Sequence, residues 1–92
     1  MNKSKTITLI DGLFSSDDAF LLLTNLYSSK IKFHQLKNFS SMERFGKEDE
    51  MSLERISKLK ENLETILTLM KEATADENRI EIKSVVHINF LK

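Results

Sequence analysis

The chain contains no cysteine, no proline and only two glycines among its 92 residues. Without cysteine it has no disulfide, no thiol nucleophile and no metal site built on thiolates. Its 14 basic and 14 acidic side chains cancel, so no global charge attracts it to nucleic acid or to an anionic membrane. These absences exclude several functional classes at the outset.

Long apolar runs are also missing, since no stretch approaches the roughly 20 residues that a membrane-spanning helix needs. A short apolar segment follows Lys3 and Lys5, but Asp11 interrupts it well before it reaches the length of a signal-peptide core. We therefore expect a cytoplasmic protein. A chain of this size buries only about 60–65% of its unfolded surface, so we expect a single domain over residues 1–92 that gains from a partner subunit.

The strongest pattern is a hydrophobic repeat between Asp49 and Ala75. Its apolar residues recur at steps of three and four: Ile56, Leu59, Leu63, Ile66, Met70 and Ala73. This spacing predicts one stripe of a long α-helix, with Asp49 as its N-cap. The stripe is wide enough that it must be covered by other parts of the chain.

A second helix is predicted from about Ser16, because Ser15 and Asp18 have the spacing of a capping box. The apolar residues that follow, up to Leu36, fill two adjacent stripes, which predicts burial on two sides. One side is expected to pack on the long helix as an antiparallel hairpin and the other on the strands. The connection between the helices is predicted over residues 38–47, with a single helical turn and a left-handed stop at Gly46.

Two strands are predicted at the ends of the chain. Residues 5–10 alternate β-branched and polar side chains, with Ile7 and Leu9 pointing inward and a turn at residues 11–12 ending the strand. Residues 80–91 alternate with period two over roughly 40 Å, so half of this longer strand is expected to lack a partner in the same chain.

The predicted fold class is therefore α+β, with the order β-α-α-β and an antiparallel helical hairpin packed on a two-stranded antiparallel sheet. An unpaired apolar strand invites association, and a second copy would pair with it to make a four-stranded sheet in a homodimer. The predicted dimer strand uses four residues: Val85, His87, Asn89 and Leu91.

A candidate binding surface is the hairpin tip, where cations and aromatic rings exceed what a turn requires. Its predicted residues are His34, Lys37, Phe39, Arg44, Phe45 and Lys47. Two alternatives stay open for Arg44. If Glu43 caps Ser40, the guanidinium is free to bind a carboxylate or phosphate of a partner; otherwise it pairs with an acidic residue at the start of the second helix and fastens the turn.

No constellation typical of an enzyme is visible. His34 and His87 have no companion at metal-ligand spacing and no converging carboxylates, so we expect neither a metal nor a cofactor. The leading hypothesis is a small non-enzymatic interaction or structural module that acts as a homodimer. The alternatives are a nucleic-acid-binding protein that uses the basic and aromatic residues of 30–47 and, least favoured, an enzyme of unknown type.

Overall fold

The computed structural model describes residues 3–76 and 79–91, without the side chains of 74–76. Its elements in chain order are β1 (Lys3–Phe14), α1 (Ser16–Phe45), α2 (Glu50–Asp76) and β2 (Ile80–Phe90). The two helices are antiparallel and pack on a two-stranded antiparallel sheet. The predicted α+β class and element order are confirmed.

α1 begins and ends at the predicted caps. The Oγ of Ser15 accepts a hydrogen bond from the backbone N–H of Asp18 at 3.1 Å, which satisfies one of the free donors of the first turn. Gly46 takes the left-handed conformation with φ 67°, and its N–H donates to the carbonyl of Met42 at 3.0 Å. A residue with a Cβ is strained in this conformation, which explains the glycine.

The predicted break in α1 at residue 38 is wrong, because the helix continues to Phe45. Ser40 and Glu43 therefore lie inside the helix and form no capping box. The side chain of Asn38 instead accepts the backbone N–H of Asp49 at 2.7 Å, so it stabilises the start of the next helix. The local helix-stop signal was overridden by a contact across the connection between the two helices.

α2 follows the predicted stripe closely. Leu59 and Met70 are buried, and the other described members of the stripe are half-buried against α1. Asp49 precedes the first helical residue, as predicted, but its carboxylate accepts the buried hydroxyl of Ser52 at 2.7 Å. This hydrogen bond compensates the desolvation of a polar side chain at the helix interface.

β1 is twice as long as predicted, and the expected turn at residues 11–12 is wrong. Those residues pair within the strand, Asp11 opposite Lys83 and Gly12 opposite Ile82. β1 and β2 pair along their whole lengths, so the prediction that half of β2 lacks an intrachain partner is also wrong. The local turn signal lost to cross-strand pairing, including two opposite charges facing each other.

A β-bulge at Leu9 interrupts the register. Thr8 lies opposite Val85 and Ile10 opposite Ser84, so one extra residue is inserted in β1. The bulge switches which residues of β1 point toward the helices, from even numbers after Leu9 to odd numbers before it. Leu9 was predicted to point into the core, but it is exposed at the bulge.

The helix-facing side of the sheet, here called the inner face, therefore carries Ile10 and Phe14 near the helices and Ile7 further out. Ile10 is buried. Beyond it, residues 3–9 and 85–90 are all exposed, and we call these two segments the distal ribbon. The chain measures 50 × 35 × 14 Å, because the sheet covers only part of the helices and projects past them.

Candidate interaction surface

The second apolar stripe of α1 lies beside the stripe that packs on α2. Its members recur with helical spacing: Leu22, Leu26, Phe33 and Leu36. Ala19, on the same side, is completely buried, and Leu22 is half-buried. Leu26, Phe33 and Leu36 are exposed, so the prediction that α1 is buried on two sides holds only at its N-terminal end.

The inner face of the distal ribbon is the other uncovered apolar surface. On β2 it carries Val86, Ile88 and Phe90, all exposed. On β1 the residues opposite Ile88 and Phe90 are Lys5 and Lys3. The two strands therefore differ: the β2 half of the face is apolar and the outer part of the β1 half is cationic.

The predicted dimer-strand residues lie at the outer end of β2. Val85, His87 and Asn89 alternate onto the face opposite the helices, and Leu91 follows the last strand residue. His87 already has a partner in β1, since its Nδ1 is hydrogen-bonded to Oγ1 of Thr6 at 2.9 Å. The side edge of β2 that faces away from β1 has no partner within residues 3–76 and 79–91.

The predicted hairpin tip is only partly assembled. Lys37, Arg44 and Phe45 line one shallow depression together with Asp49. Phe39 is 61% exposed and points from another side of α1. Lys47 contributes its backbone carbonyl, which accepts a hydrogen bond from the hydroxyl of Ser41 at 2.9 Å.

Both predicted arrangements of Arg44 need correction. The one that relied on a Glu43 cap fails because that residue is inside α1. In the alternative, Arg44 pairs with Glu48 or Asp49, but among the described residues no ion pair is formed by Arg44. It lies in the last turn of α1, where a cation interacts favourably with the helix dipole, and its side chain is exposed.

His34 was predicted as part of the tip surface, but it is buried between the helices with 9% of its surface exposed. Neither ring nitrogen has a hydrogen-bond partner in the described part of the chain. Burial is the largest cause that lowers the pKa of this imidazole. Further residues act on the same pKa, Lys30, Arg55 and Lys37 by lowering it and Asp49 by raising it. His34 is therefore a neutral member of the hairpin core at pH 7.

A row of cations flanks the α1 stripe and was not predicted. Lys30, Lys37 and Arg44 are seven residues apart, which places them on one side of the helix. The Nζ of Lys30 lies 5.9 Å from the ring centroid of Phe33, within reach of a cation–π interaction. The spacing of seven was readable in the sequence, but the predicted end of α1 at residue 38 separated Arg44 from the other two.

Among the described residues, no three histidine, aspartate or glutamate side chains converge as metal ligands. Neither described helix combines the length and apolar character needed to cross a bilayer. Comparisons with known protein families, curated proteins and solved structures found no match.

Proposed function

We propose that this protein is a small, non-enzymatic interaction module that works as a homodimer. The observation that carries the proposal is the amount of exposed surface. The chain exposes 7564 Å², whereas a compact monomer of its mass exposes about 5,500 Å². The excess is about 2,000 Å² per copy, an area of the size that permanent homodimers bury.

The shape of the chain supports the same conclusion. Its radius of gyration is 16.7 Å, compared with about 12 Å for a compact domain of this length. Among the described residues, only four apolar side chains are buried: Ile10, Ala19, Leu59 and Met70. So small a shielded core gives a monomer little hydrophobic stabilisation.

A second copy is the occupant that fits the uncovered surfaces. They are a helix stripe and a sheet face, and each is buried at one point of the single chain, the stripe at Ala19 and the sheet face at Ile10. The net charge of zero adds no general repulsion between copies. A homodimer therefore extends a type of packing that the single chain has begun.

Catalysis is not part of the proposal, and a cytoplasmic location stays a prediction. The two histidines lie on different elements, His34 in α1 and His87 in β2, and no three histidine or acidic side chains converge in the part of the chain that the structure describes. In a dimer, the exposed Lys37 and Arg44 near the end of each helical hairpin would present two equivalent sites for a carboxylate or phosphate of a further partner.

Nucleic-acid binding is the second candidate, and the row of Lys30, Lys37 and Arg44 is the observation that favours it. Cations beside an exposed ring such as Phe33 are a combination that single-stranded nucleic acid uses. Binding of this kind weakens steeply with salt, because counterions are released from the phosphates. Absence of binding to single- and double-stranded oligonucleotides at low salt would eliminate this candidate.

The homodimer is tested by light scattering coupled to size-exclusion chromatography. We expect the mass of two chains at micromolar concentration, with an elution volume that is unchanged between low and moderate salt, since apolar contacts are only weakly screened. A monomer at that concentration would overturn the proposed function.

A further inference from the structure

We propose that the two copies join through the free edges of β2, in a register centred on Ile88, to form one four-stranded antiparallel sheet with β1 at both outer edges. This inference rests on the proposed homodimer and specifies its interface. Its occupant is a second copy of the chain, and its chemistry is main-chain hydrogen bonding between strands.

The choice of β2 over β1 follows from the inner face of the distal ribbon. Ile88 and Phe90 on β2 are apolar and exposed, whereas the facing residues on β1 are Lys5 and Lys3. Lysines are favoured on edge strands, where they remain solvated and discourage further pairing. A dimer joined through β2 keeps the apolar residues in the middle of the sheet and the lysines at its margins.

The choice of register follows from matching the residues of β2 with themselves. With Ile88 on the two-fold axis, Val85 lies opposite Leu91 of the partner subunit, and His87 lies opposite Asn89 of the partner subunit. Apolar residues then face apolar ones, and polar residues face polar ones. With the two-fold axis moved to His87, the apolar Val85 would instead lie opposite the polar Asn89 of the partner subunit.

The two-fold symmetry of the proposed dimer places the helices of both copies on the same side of the sheet. A two-fold axis between antiparallel neighbouring strands is perpendicular to the sheet, so both inner faces point to the same side. Both helical hairpins therefore lie on one side of the four-stranded sheet, the side toward which Ile88 and Phe90 point.

The absence of cysteine in the chain allows a direct test by disulfide formation. One chain carries His87→Cys and a differently tagged chain carries Asn89→Cys; the two are mixed and oxidised. Directly opposed residues of antiparallel strands have Cα atoms about 4.5–5.5 Å apart, within the range that a disulfide spans. We expect a cross-linked species that contains both tags as the main product.

Two further pairs control the experiment. Ser4 lies opposite Asn89 in the same chain, so Ser4→Cys combined with Asn89→Cys should give an intrachain disulfide and confirms that the chemistry works. The second control mixes a chain that carries Ser4→Cys with a chain that carries Thr8→Cys. These two residues would face each other if the copies paired through β1 with Thr6 on the two-fold axis. In the proposed sheet the two β1 strands are about 14 Å apart, so this pair should not form a disulfide.

The outcomes separate the interface from the dimer itself. Efficient disulfide formation between the β1 pair, or a stable dimer in which the β2 pair fails to cross-link, would overturn the proposed interface while the homodimer stands. A monomer in light scattering would overturn the proposed function, and the interface with it.

Discussion

The helical hairpin and the distal ribbon are built from similar proportions of apolar residues but are stabilised very differently. Between the helices, Leu59 and Met70 are buried and polar groups such as Ser52 are hydrogen-bonded. In the distal ribbon, residues 3–9 and 85–90 are all exposed, although every strand residue except Leu9 has a cross-strand partner. Pairing determines the conformation of the ribbon, whereas burial stabilises the hairpin; an isolated two-stranded ribbon is only marginally stable in water.

The largest expected effect comes from shortening the ribbon. A chain that ends at His87 loses Ile88 and Phe90 from the inner face, together with the centre of the proposed dimer register. We expect the dimer to dissociate at least about 100-fold more readily, which corresponds to about 2.7 kcal/mol, while helix content stays nearly constant. Sedimentation and circular dichroism measure the two quantities.

The matched control for this truncation is a chain that ends at Leu91, which keeps the whole of β2 and the residue proposed to face Val85 of the partner subunit. It should remain dimeric. If the chain that ends at His87 is equally dimeric, the distal ribbon does not hold the two copies together. The ribbon would then not depend on a second copy for its stability, contrary to the comparison with the helical hairpin.

The next largest effect is expected in the hairpin core. Replacing Leu59 by Ala removes buried methyl groups and leaves a cavity, which costs about 2–5 kcal/mol in a well-packed site. Leu69→Ala is the matched control, since Leu69 lies on the same helix but is exposed, and its loss should be within about 0.5 kcal/mol. Denaturant unfolding at fixed protein concentration compares them; similar losses for both would mean that the helices are not tightly packed.

A smaller effect distinguishes the covered side of α1 from its other sides. Phe33 and Phe39 are 57% and 61% exposed in the single chain, but only Phe33 lies on the apolar stripe of α1 that we propose a second copy to cover. We expect Phe33→Glu to weaken the dimer about tenfold, or about 1.4 kcal/mol, and Phe39→Glu to have little effect. Equal weakening would show that the stripe is not covered in the dimer.

The smallest effect is a dependence of stability on pH within the hairpin. Because burial lowers the pKa of His34 in the folded chain, the unfolded chain binds a proton first as the pH falls below about 6.5. The contribution of this residue is therefore intact above that pH and is lost as the pH falls through the folded pKa. Thermal melts of the protein and of His34→Leu between pH 7.5 and 5.5 should show a falling melting temperature only for the former. Parallel pH profiles would contradict this.

The parts of the fold that were predictable depend on neighbouring residues, and the parts that were not depend on residues far apart in the chain. The caps at Ser15 and Gly46 and the apolar stripe of α2 each follow from a few residues in one segment. The extension of β1 through Gly12 depends on β2, and the continuation of α1 past Asn38 depends on the hydrogen bond to Asp49. The local stop signal was overridden by pairing with the other end of the chain in the first case and by a contact across the connection between the helices in the second.

The candidate surface was less predictable for the same reason. Residue types identified an excess of cations and rings near the hairpin tip, but burial decided which of them are accessible, and His34 is not. The bulge at Leu9 has no signal in the alternation of residues 5–10, which on its own predicts an uninterrupted strand with one buried face.

The bulge at Leu9 changes which residues of β1 point to each face of the sheet. Before Leu9 the odd-numbered residues of β1 share a face with Val86, and after it the even-numbered residues share that face with Ser84. If the same residues paired regularly, with Leu9 opposite Val85 and no bulge, the apolar end of β1 would stay against the helices, but Lys3 and Lys5 would move to the opposite face and Thr6 and Thr8 would take their place. A single inserted residue thus sets which chemistry the projecting end of the sheet presents on each side, independently of the composition of the strand.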